Sequence, residues 1–466
     1  MNSNEKSGSK LQWKEFKPGR NTLFFILSIV GAYLLSRLLR DPGFTNSQDY
    51  VLFLLFLSIG FWISDAIPPF AVGLFIMAFL VFTLGNAHIN QDPQDVAKYV
   101  QTFSSSIIWL LLGGFFLAEA MTKTGLDVEF FRFSIRLSGK IPKHLLLGIM
   151  LTTMFASMIL SNSATTSMVI ASVTPLLRKL GKDPYSKALL VGIPLAASIG
   201  GMGTIIGSPT NAIAVGNLIS LGISVSFTKW MLFGLPLAIS LTIVGWWLLK
   251  TKFIATDKPL DFELPAQQEP GEQLMRRERK IVLAVLLVTV SLWMTSSFHN
   301  ISVSAVSAVP IVFLTMTGIL KSEDIRKLPW DTLLLVAGGL SLGLALQETK
   351  LLEHFAKHFF GSQSTSLVML IIFAYVTMIF SNIMSNTATA TILIPLGIYL
   401  MPDHAKQIAI IVGLSASTAL LLPISTPPNA IAYSTGLIKQ KDFFPGGLLI
   451  GLLGPLMIVL LVVMML

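Results

Sequence analysis

The chain has 466 residues, of which 53% are hydrophobic, 12% are charged and none is cysteine. Soluble globular domains carry about 25% charged residues, because their surface faces water. The composition therefore excludes a soluble protein and indicates a chain that is solvated mainly by lipid. The lack of cysteine also excludes disulfide scaffolds, thiol chemistry and cysteine-based metal sites.

The net charge of +9 comes from basic residues that are scattered in short clusters between long apolar segments. A nucleic-acid-binding face would instead gather Lys and Arg on one surface. We therefore exclude nucleic acid as a partner. The surplus of basic residues is read as the positive-inside bias of a multi-pass membrane protein, with the lipid bilayer as its surroundings.

Apolar windows of about 20 residues predict the membrane-spanning helices. Eleven such windows lie at 22–38, 49–64, 68–86, 104–122, 188–216, 229–250, 281–297, 302–320, 331–348, 407–435 and 443–466. Two further apolar stretches, 144–177 and 364–400, are too long for one helix across a ~30 Å hydrocarbon core and too short for two full crossings. We predict that both are re-entrant hairpins, so the fold class is an all-α polytopic membrane protein.

The basic residues also predict which side of the membrane each connection faces. With the N terminus in the cytoplasm, the cytoplasmic segments hold 26 Lys and Arg and the outer segments hold 7. This imbalance follows the positive-inside rule. Because the number of spans is odd, the C terminus is then expected outside the cytoplasm. The first span follows a basic tail without a small-residue cleavage site, which predicts a retained anchor.

Three motifs occur twice, in the same order, in the two halves of the chain. The pairs are 113–114 and 338–339 (Gly-Gly), 161–165 and 385–389 (Ser-Asn-Ser-Ala-Thr and Ser-Asn-Thr-Ala-Thr), and 208–214 and 426–432 (Ser-Pro-Thr-Asn-Ala-Ile-Ala and Thr-Pro-Pro-Asn-Ala-Ile-Ala). Each copy has an odd number of spans besides its hairpin, so the second copy must enter the membrane from the opposite side. An inverted repeat with interrupted helices is typical of secondary transporters, and a channel built from repeats stays an alternative.

Polar residues interrupt the apolar segments at the predicted membrane depth. The hairpin tips are 161–163 and 385–387, and two further breaks with Pro follow at 207–211 and 425–429. Helices that restart there present free backbone N–H groups to an anion, and the carbonyl and hydroxyl oxygens suit a small cation. The alternative is that these side chains only join helices to each other and that the prolines are structural kinks.

The segments that carry these motifs contain no fixed charge. Asp, Glu, Lys and Arg are absent from 145–177, 188–228, 364–400 and 407–438. An anionic substrate would therefore be balanced by helix N-termini and by cations that bind with it, which favours a dianion with two or more Na⁺.

Other polar residues are interpreted as structural. Three acids predicted to be buried near helix ends, Asp65, Glu119 and Asp331, are candidate functional residues, but helix capping or interfacial placement is favoured. His354 and His358 share one helix face, which is typical of an amphipathic surface segment. The sequence has no HExxH motif and no paired intramembrane carboxylates, so we predict no enzyme and no catalytic residues.

These motifs resemble those of the divalent anion:sodium symporter family, whose bacterial members include INDY-type dicarboxylate transporters. The resemblance covers about 49–466 and includes 62–68 (Trp-Ile-Ser-Asp-Ala-Ile-Pro), which is similar to the family's W-x-T-E-A-I-P. Ser64, Asp65 and Ser163 depart from the family's Thr, Glu and Thr, and the last departure bears on substrate preference. The resemblance implies a homodimer of scaffold and transport domains in a bacterial cytoplasmic membrane, working as an elevator.

The resemblance also implies roles for individual residues. A first Na⁺ site would comprise Ser157, Ser161, Asn162 and Gly207. A second Na⁺ site would comprise Ser381, Met384, Asn386 and Ser425. The substrate would contact Asn162, Ser163, Ser208, Pro209, Ser385, Asn386, Thr387, Thr426 and Pro427. Na⁺ would be the coupling ion, and no organic cofactor is implied.

The expected domains follow from the repeat and the resemblance. They are a tail at 1–21, scaffold segments at 22–140 and 281–362, a cytoplasmic linker at 251–280, and transport segments at 141–250 and 363–466. The transport segments contain the hairpins 144–177 and 364–400 and the broken helices 188–216 and 407–435. The expected function is Na⁺-coupled transport of a C4 dicarboxylate such as succinate, malate or fumarate. A Na⁺-independent dicarboxylate exchanger and an anion channel are the alternatives.

Overall fold

The computed structural model describes residues 20–90, 93–181, 183–254, 258–260, 272–351 and 366–466. The helices of the first half are α1 Arg20–Leu39, α2 Asn46–Ser64, α3 Pro69–Leu84, α4 Ala97–Gln101, α5 Ser106–Thr124, α6 Leu126–Ser138, α7 Pro142–Ser157, α8 Asn162–Leu180, α9 Pro184–Gly200, α10 Pro209–Ser220 and α11 Phe227–Phe253. Those of the second half are α12 Glu272–Met294, α13 Ser296–His299, α14 Val303–Val306, α15 Ala308–Met316, α16 Ser322–Ile325, α17 Trp330–Glu348, α18 Ser366–Ile383, α19 Asn386–Leu400, α20 Ala405–Ser415, α21 Pro427–Ser434 and α22 Gln440–Met465. No strand occurs in these ranges, so the all-α prediction is confirmed.

Eight helices in the described ranges are long and apolar enough to cross a membrane. Shorter apolar helices lie at Pro69–Leu84, Val303–Met316 and Asn386–Leu400. The total of eleven membrane spans therefore stays a prediction. The prediction that the chain crosses the membrane several times is confirmed.

The predicted span 302–320 corresponds to the shorter apolar helix Val303–Met316, in which the single residue Ser307 separates α14 from α15. Pro310 has no N–H to donate to the carbonyl of Val306, which interrupts the helical hydrogen bonds there. The helix also ends early, at Met316, where Gly318 takes a left-handed backbone with φ 71°.

Helix α6 was not predicted, because its segment was assigned only as a cytoplasmic connection. Its residues Phe131 and Ile135 are buried, while Phe130, Phe133 and Leu137 are exposed on another face. The helix packs mainly on α7. The four-residue spacing of Phe131 and Ile135 was the sequence signal for it.

The helix pairs and the broken helices were predicted at their observed places. Helices α7 and α8 are joined at 158–161, and α18 and α19 are joined at 384–385. Helix α9 passes through a 3₁₀ turn before α10 begins, and α20 passes through another before α21 begins. Whether the two helix pairs enter and leave on the same side of a membrane stays a prediction, as do the domain boundaries.

The helix that follows the break in each half packs against the other half of the chain. Helix α10 of the first half packs against α19 and α20 of the second, and α21 of the second half packs against α8 and α9 of the first. The first restarted helix therefore lies against the second half of the chain, and the second restarted helix lies against the first half.

The acidic residues Asp65 and Asp331 are exposed, so their expected burial is wrong, and Glu119 is partly buried. Asp65 ends α2 with a left-handed backbone of φ 49°, and the Asp331 Oδ1 accepts a hydrogen bond of 2.8 Å from the Thr332 N–H at the start of α17. Their interpretation as helix-end residues is confirmed for these two. The tail 1–19, much of the linker 251–280, and both His354 and His358 lie outside the described residues.

The second Gly-Gly motif allows two helices to touch backbone to backbone. A methyl group at Gly338 of α17 would lie 2.3 Å from the Cα of Gly73 in α3. We expect Gly338→Ala to lower the free energy of unfolding by about 1–3 kcal/mol, because overpacking forces the helices apart. Thermal unfolding of the purified protein in detergent measures this, with Gly31→Ala as control, since nothing lies within 4 Å of a methyl group there. Equal unfolding temperatures for the two variants would contradict the contact.

Candidate functional site

Each hairpin tip is the start of a new helix, and its first residue is a serine cap. Ser161 has an extended backbone with φ −64° and ψ 146°, and Ser385 has φ −65° and ψ 147°. Their hydroxyls accept hydrogen bonds of 3.2 Å from the N–H groups of Ala164 and Ala388. The next residues, Asn162 and Asn386, therefore begin α8 and α19, where backbone N–H groups have no partner within the helix.

The two Pro motifs also mark helix starts. Ser208 and Thr426 are extended, with φ −144° and −141°, and they precede Pro209 and Pro427. Each Pro occupies the first position of its helix, where the missing N–H costs nothing. The prolines therefore start helices α10 and α21, and the alternative of a kink inside a continuous helix is wrong.

Oxygen atoms cluster between the first tip and the first break. The Ser157 hydroxyl donates a hydrogen bond of 2.7 Å to the Asn162 Oδ1. A methyl group at Gly201 would lie 2.7 Å from the same Oδ1 and 3.0 Å from the carbonyl oxygen of Gly207. Glycine at 201 therefore leaves a space that is faced by the Asn162 side-chain amide and the Gly207 carbonyl oxygen. The two oxygens are hard ligands for a small cation.

An asparagine clamps the broken backbone in each half. The Asn211 Nδ2 donates hydrogen bonds of 2.8 and 2.7 Å to the carbonyls of Gly201 and Thr204. The Asn429 Nδ2 donates at 3.3 and 2.9 Å to the carbonyls of Leu420 and Leu422. Sequence reasoning assigned these two residues no role, although their identical place in the repeated motif was the available signal.

The second tip is tied to the second break through Asn382. Its Oδ1 accepts hydrogen bonds from the Leu421 N–H at 3.0 Å and from the Ser425 hydroxyl at 2.8 Å. Asn382 was missed as well, because the matching position of the first half is Met158 and the repeat gave no signal.

Five buried oxygens of the second half have no hydrogen-bond partner among the described residues, namely the Ser381 Oγ, Asn386 Oδ1, Thr391 Oγ1, Ser415 Oγ and Ser417 Oγ. Of these, the Ser381 Oγ and the Asn386 Oδ1 belong to residues predicted to bind Na⁺. An unsatisfied buried polar atom costs about 1–3 kcal/mol, so such atoms call for a ligand. Both oxygens have lone pairs available to a cation, and the Ser381 hydroxyl also has an O–H group to donate to an anion.

The remaining predicted residues lie where the tips and breaks place them, with differing availability. The Ser161 and Ser385 hydroxyls cap their helices, so they are committed to backbone N–H groups. Ser163 and Thr387 are partly exposed in the first turns of α8 and α19, and Met384 is buried beside the second tip.

The field at this site comes from helix ends. Helices α8, α10, α19 and α21 all begin at the tips and breaks. Each helix N-terminus carries the equivalent of about half a positive charge, so the four helix starts attract an anion. The tips and breaks lie within segments 145–177, 188–228, 364–400 and 407–438, which hold no Asp, Glu, Lys or Arg. The arrangement can therefore bind an anion without a basic side chain, and a cation without an acidic one.

Comparison with known proteins identifies the family. The family model described as the sodium:sulfate symporter transmembrane region matches residues 22–466. The sodium-dependent dicarboxylate transporter SdcS of Staphylococcus saprophyticus is 30% identical over 474 residues, covering 92% of this chain and 88% of that protein. The protein of the same name from Staphylococcus aureus strain USA300 is 28% identical over 452 residues, covering 89% and 85%.

Solved structures support the fold alone. The Alcanivorax borkumensis YdaH transporter matches with a TM-score of 0.60 at 13% identity, over 84% of this chain and 97% of that chain. Neisseria gonorrhoeae MtrF matches with a TM-score of 0.57 at 11% identity, over 85% and 94%. The matched family and these relatives are transporters, in agreement with the prediction that the chain is not an enzyme. On its sequence motifs and the match over 22–466, the chain belongs to the divalent anion:sodium symporter family.

Proposed function

We propose that the protein is a Na⁺-coupled symporter of C4 dicarboxylates such as succinate, malate or fumarate. The observation that carries the proposal is that four helices begin at the tips and breaks, within segments 145–177, 188–228, 364–400 and 407–438 that hold no charged side chain. The Ser381 Oγ and Asn386 Oδ1, which have no hydrogen-bond partner among the described residues, support it. The relatives named as sodium-dependent dicarboxylate transporters support the same ion and substrate class.

The site is proposed to hold two Na⁺ ions and one dianion. The first Na⁺ would bind Ser157, Ser161, Asn162 and Gly207. The second would bind Ser381, Met384, Asn386 and Ser425. Since the Ser161 hydroxyl caps α8, that residue would contribute backbone oxygen. The substrate would contact Asn162, Ser163, Ser208, Pro209, Ser385, Asn386, Thr387, Thr426 and Pro427.

Electrostatics supports binding of a dianion together with cations. Helix N-termini attract carboxylates by about 0.3–1 kcal/mol each at exposed sites, and by up to about 2 kcal/mol when partly buried. A dianion inside a membrane needs more compensation than that, and this site has no Lys or Arg to supply it. Two cations on the neighbouring carbonyl and amide oxygens would complete the balance.

The proposed architecture follows the repeat. The two halves would form an inverted repeat in a bacterial cytoplasmic membrane, with the N terminus in the cytoplasm and the C terminus outside it. Scaffold segments 22–140 and 281–362 would mediate a homodimer. Transport segments 141–250 and 363–466 would carry the site across the membrane as an elevator. The packing of α10 against the second half and of α21 against the first half supports movement of the two transport segments as one body.

The proposal is tested with the purified protein in proteoliposomes. An inward Na⁺ gradient should drive accumulation of radiolabelled succinate into empty vesicles, with unlabelled malate and fumarate competing. Uptake that requires internal succinate and ignores Na⁺ would establish the exchanger instead. Large currents without counterflow would establish a channel.

A further inference from the structure

We propose that a cavity between the C-terminal parts of α10, α17 and α19 binds a neutral, mostly apolar small molecule that carries one hydrogen-bond donor. We further propose that such a ligand arrests the transport cycle without occupying the substrate site. The second part rests on the proposed elevator, and the first does not.

The cavity has a volume of about 330 Å³, within the range of about 300–1,000 Å³ that is typical of small-molecule sites. Its wall includes Leu346, Pro395, Ile398 and Tyr399, and none of its described lining residues is Asp, Glu, Lys or Arg. A charged ligand would find no counter-charge there, so the wall selects a neutral molecule with an apolar body.

The cavity is separate from the substrate site. Pro395 lies about 14 Å along α19 from Asn386, at 1.5 Å per residue. Asn217 lies about 12 Å along α10 from Pro209 by the same measure. A ligand in the cavity therefore contacts neither the hairpin tips nor the helix breaks.

The polar side chains of the cavity lining are Asn217, Ser220, Gln347 and Tyr399, and Asn217 is the most deeply buried of them. Asn217 is only 7% exposed, and its Nδ2 donates a hydrogen bond of 2.9 Å to the carbonyl of Ile213. Its Oδ1 accepts no hydrogen bond from any described residue, and it lies 2.8 Å from where a methyl group at Gly343 would be. A nine-tenths-buried acceptor at the cavity wall is satisfied by a ligand that brings an O–H or N–H group.

The cavity spans the boundary between the proposed domains. Asn217 of α10 and Pro395 of α19 belong to transport segments, and Gly343 of α17 belongs to a scaffold segment. A methyl group at Gly343 would lie 3.1 Å from the Pro395 Cγ, so the three helices meet at this glycine. Sliding α17 past the other two helices would change the shape of the cavity. A ligand that fits the present shape therefore favours the present conformation.

The absence of cysteine makes a tethered test possible. Ser220→Cys places a single thiol in the cavity lining, and Ser224→Cys places one on the loop four residues later. Both residues are exposed, so the reagents reach both thiols. Both variants are labelled with benzyl methanethiosulfonate, which leaves a neutral apolar group. Each is also labelled with the trimethylammonium-ethyl reagent, which leaves a charged group. Intact mass confirms complete labelling, and dithiothreitol removes the label.

The benzyl label on Ser220→Cys should raise the unfolding temperature and lower the maximal rate of succinate uptake about tenfold or more, with KM unchanged. Labelled Ser224→Cys should keep both values, and the charged label on Ser220→Cys should give no stabilisation. Complete benzyl labelling that leaves the unfolding temperature and the uptake unchanged would overturn the proposal, and so would a raised KM. Uptake by unlabelled Ser220→Cys tests the proposed Na⁺-driven transport independently of the cavity. If this variant shows no Na⁺-driven uptake, the unfolding temperatures of the labelled variants still decide whether the cavity prefers the neutral group.

Free benzyl alcohol tests the hydrogen-bond donor. It should inhibit uptake by the unmodified protein non-competitively, and benzyl methyl ether, which lacks the O–H, should inhibit more weakly. Equal inhibition by both, or equal inhibition of benzyl-labelled and unlabelled Ser220→Cys by the alcohol, would exclude the assigned role of Asn217.

Discussion

Replacing Asn386 with Asp is expected to lower succinate uptake about a hundredfold. The side chains have the same shape, so the main change is a negative charge at the start of α19, where the dianion is proposed to bind. A charge at membrane depth costs about 3 kcal/mol, and each 1.4 kcal/mol is about tenfold in affinity. Initial uptake rates over a range of succinate concentrations measure the effect as a rise in KM.

The matched control for this variant is Asn300→Asp. Asn300 is exposed, has a left-handed backbone with φ 55° and lies outside the hairpins and breaks. Asp tolerates that backbone as Asn does, so uptake should be unchanged. Normal uptake by Asn386→Asp would show that the second tip is not part of the substrate site.

Replacing Gly201 with Ala is expected to raise the Na⁺ concentration for half-maximal uptake about tenfold, which corresponds to about 1.4 kcal/mol. The new methyl group would lie 2.7 Å from the Asn162 Oδ1 and 3.0 Å from the Gly207 carbonyl oxygen, so these oxygens must move. The backbone at Gly201 has φ −55° and ψ −22°, which Ala adopts without strain. Uptake is measured as a function of Na⁺ at saturating succinate.

Gly446→Ala is the control for this second variant. A methyl group there would make only an ordinary contact, 3.4 Å from the Leu195 Cδ1. The Na⁺ dependence of this control should match that of the unmodified protein. An unchanged Na⁺ dependence for Gly201→Ala would show that the space between the first tip and the first break does not hold the cation.

The breaks in the helices were predictable because they follow from local chemistry. Pro209 and Pro427 cannot donate a backbone hydrogen bond, and Ser161 and Ser385 are strong helix caps, so each motif fixed a helix start without knowledge of the fold. The repeat then predicted that the same device would occur twice.

Features that depend on packing were not predictable in the same way. The hydrogen bond from the Ser425 hydroxyl to the Asn382 Oδ1 joins residues 43 positions apart, and no local sequence pattern predicts it. The interruption at Ser307 within Val303–Met316 is also invisible in the hydropathy, because it leaves the composition of the segment apolar. The burial of Asp65 and Asp331 was overestimated because both lie at the ends of apolar runs, where side chains reach the surface.

The central claim is that Na⁺ supplies the charge that this site lacks. Isothermal titration of the purified protein with succinate, in NaCl and in choline chloride of equal ionic strength, tests it most directly. We predict measurable binding in NaCl and none in choline chloride, because helix N-termini alone do not balance a dianion at this depth. Equal succinate affinity in the two salts would contradict the claim.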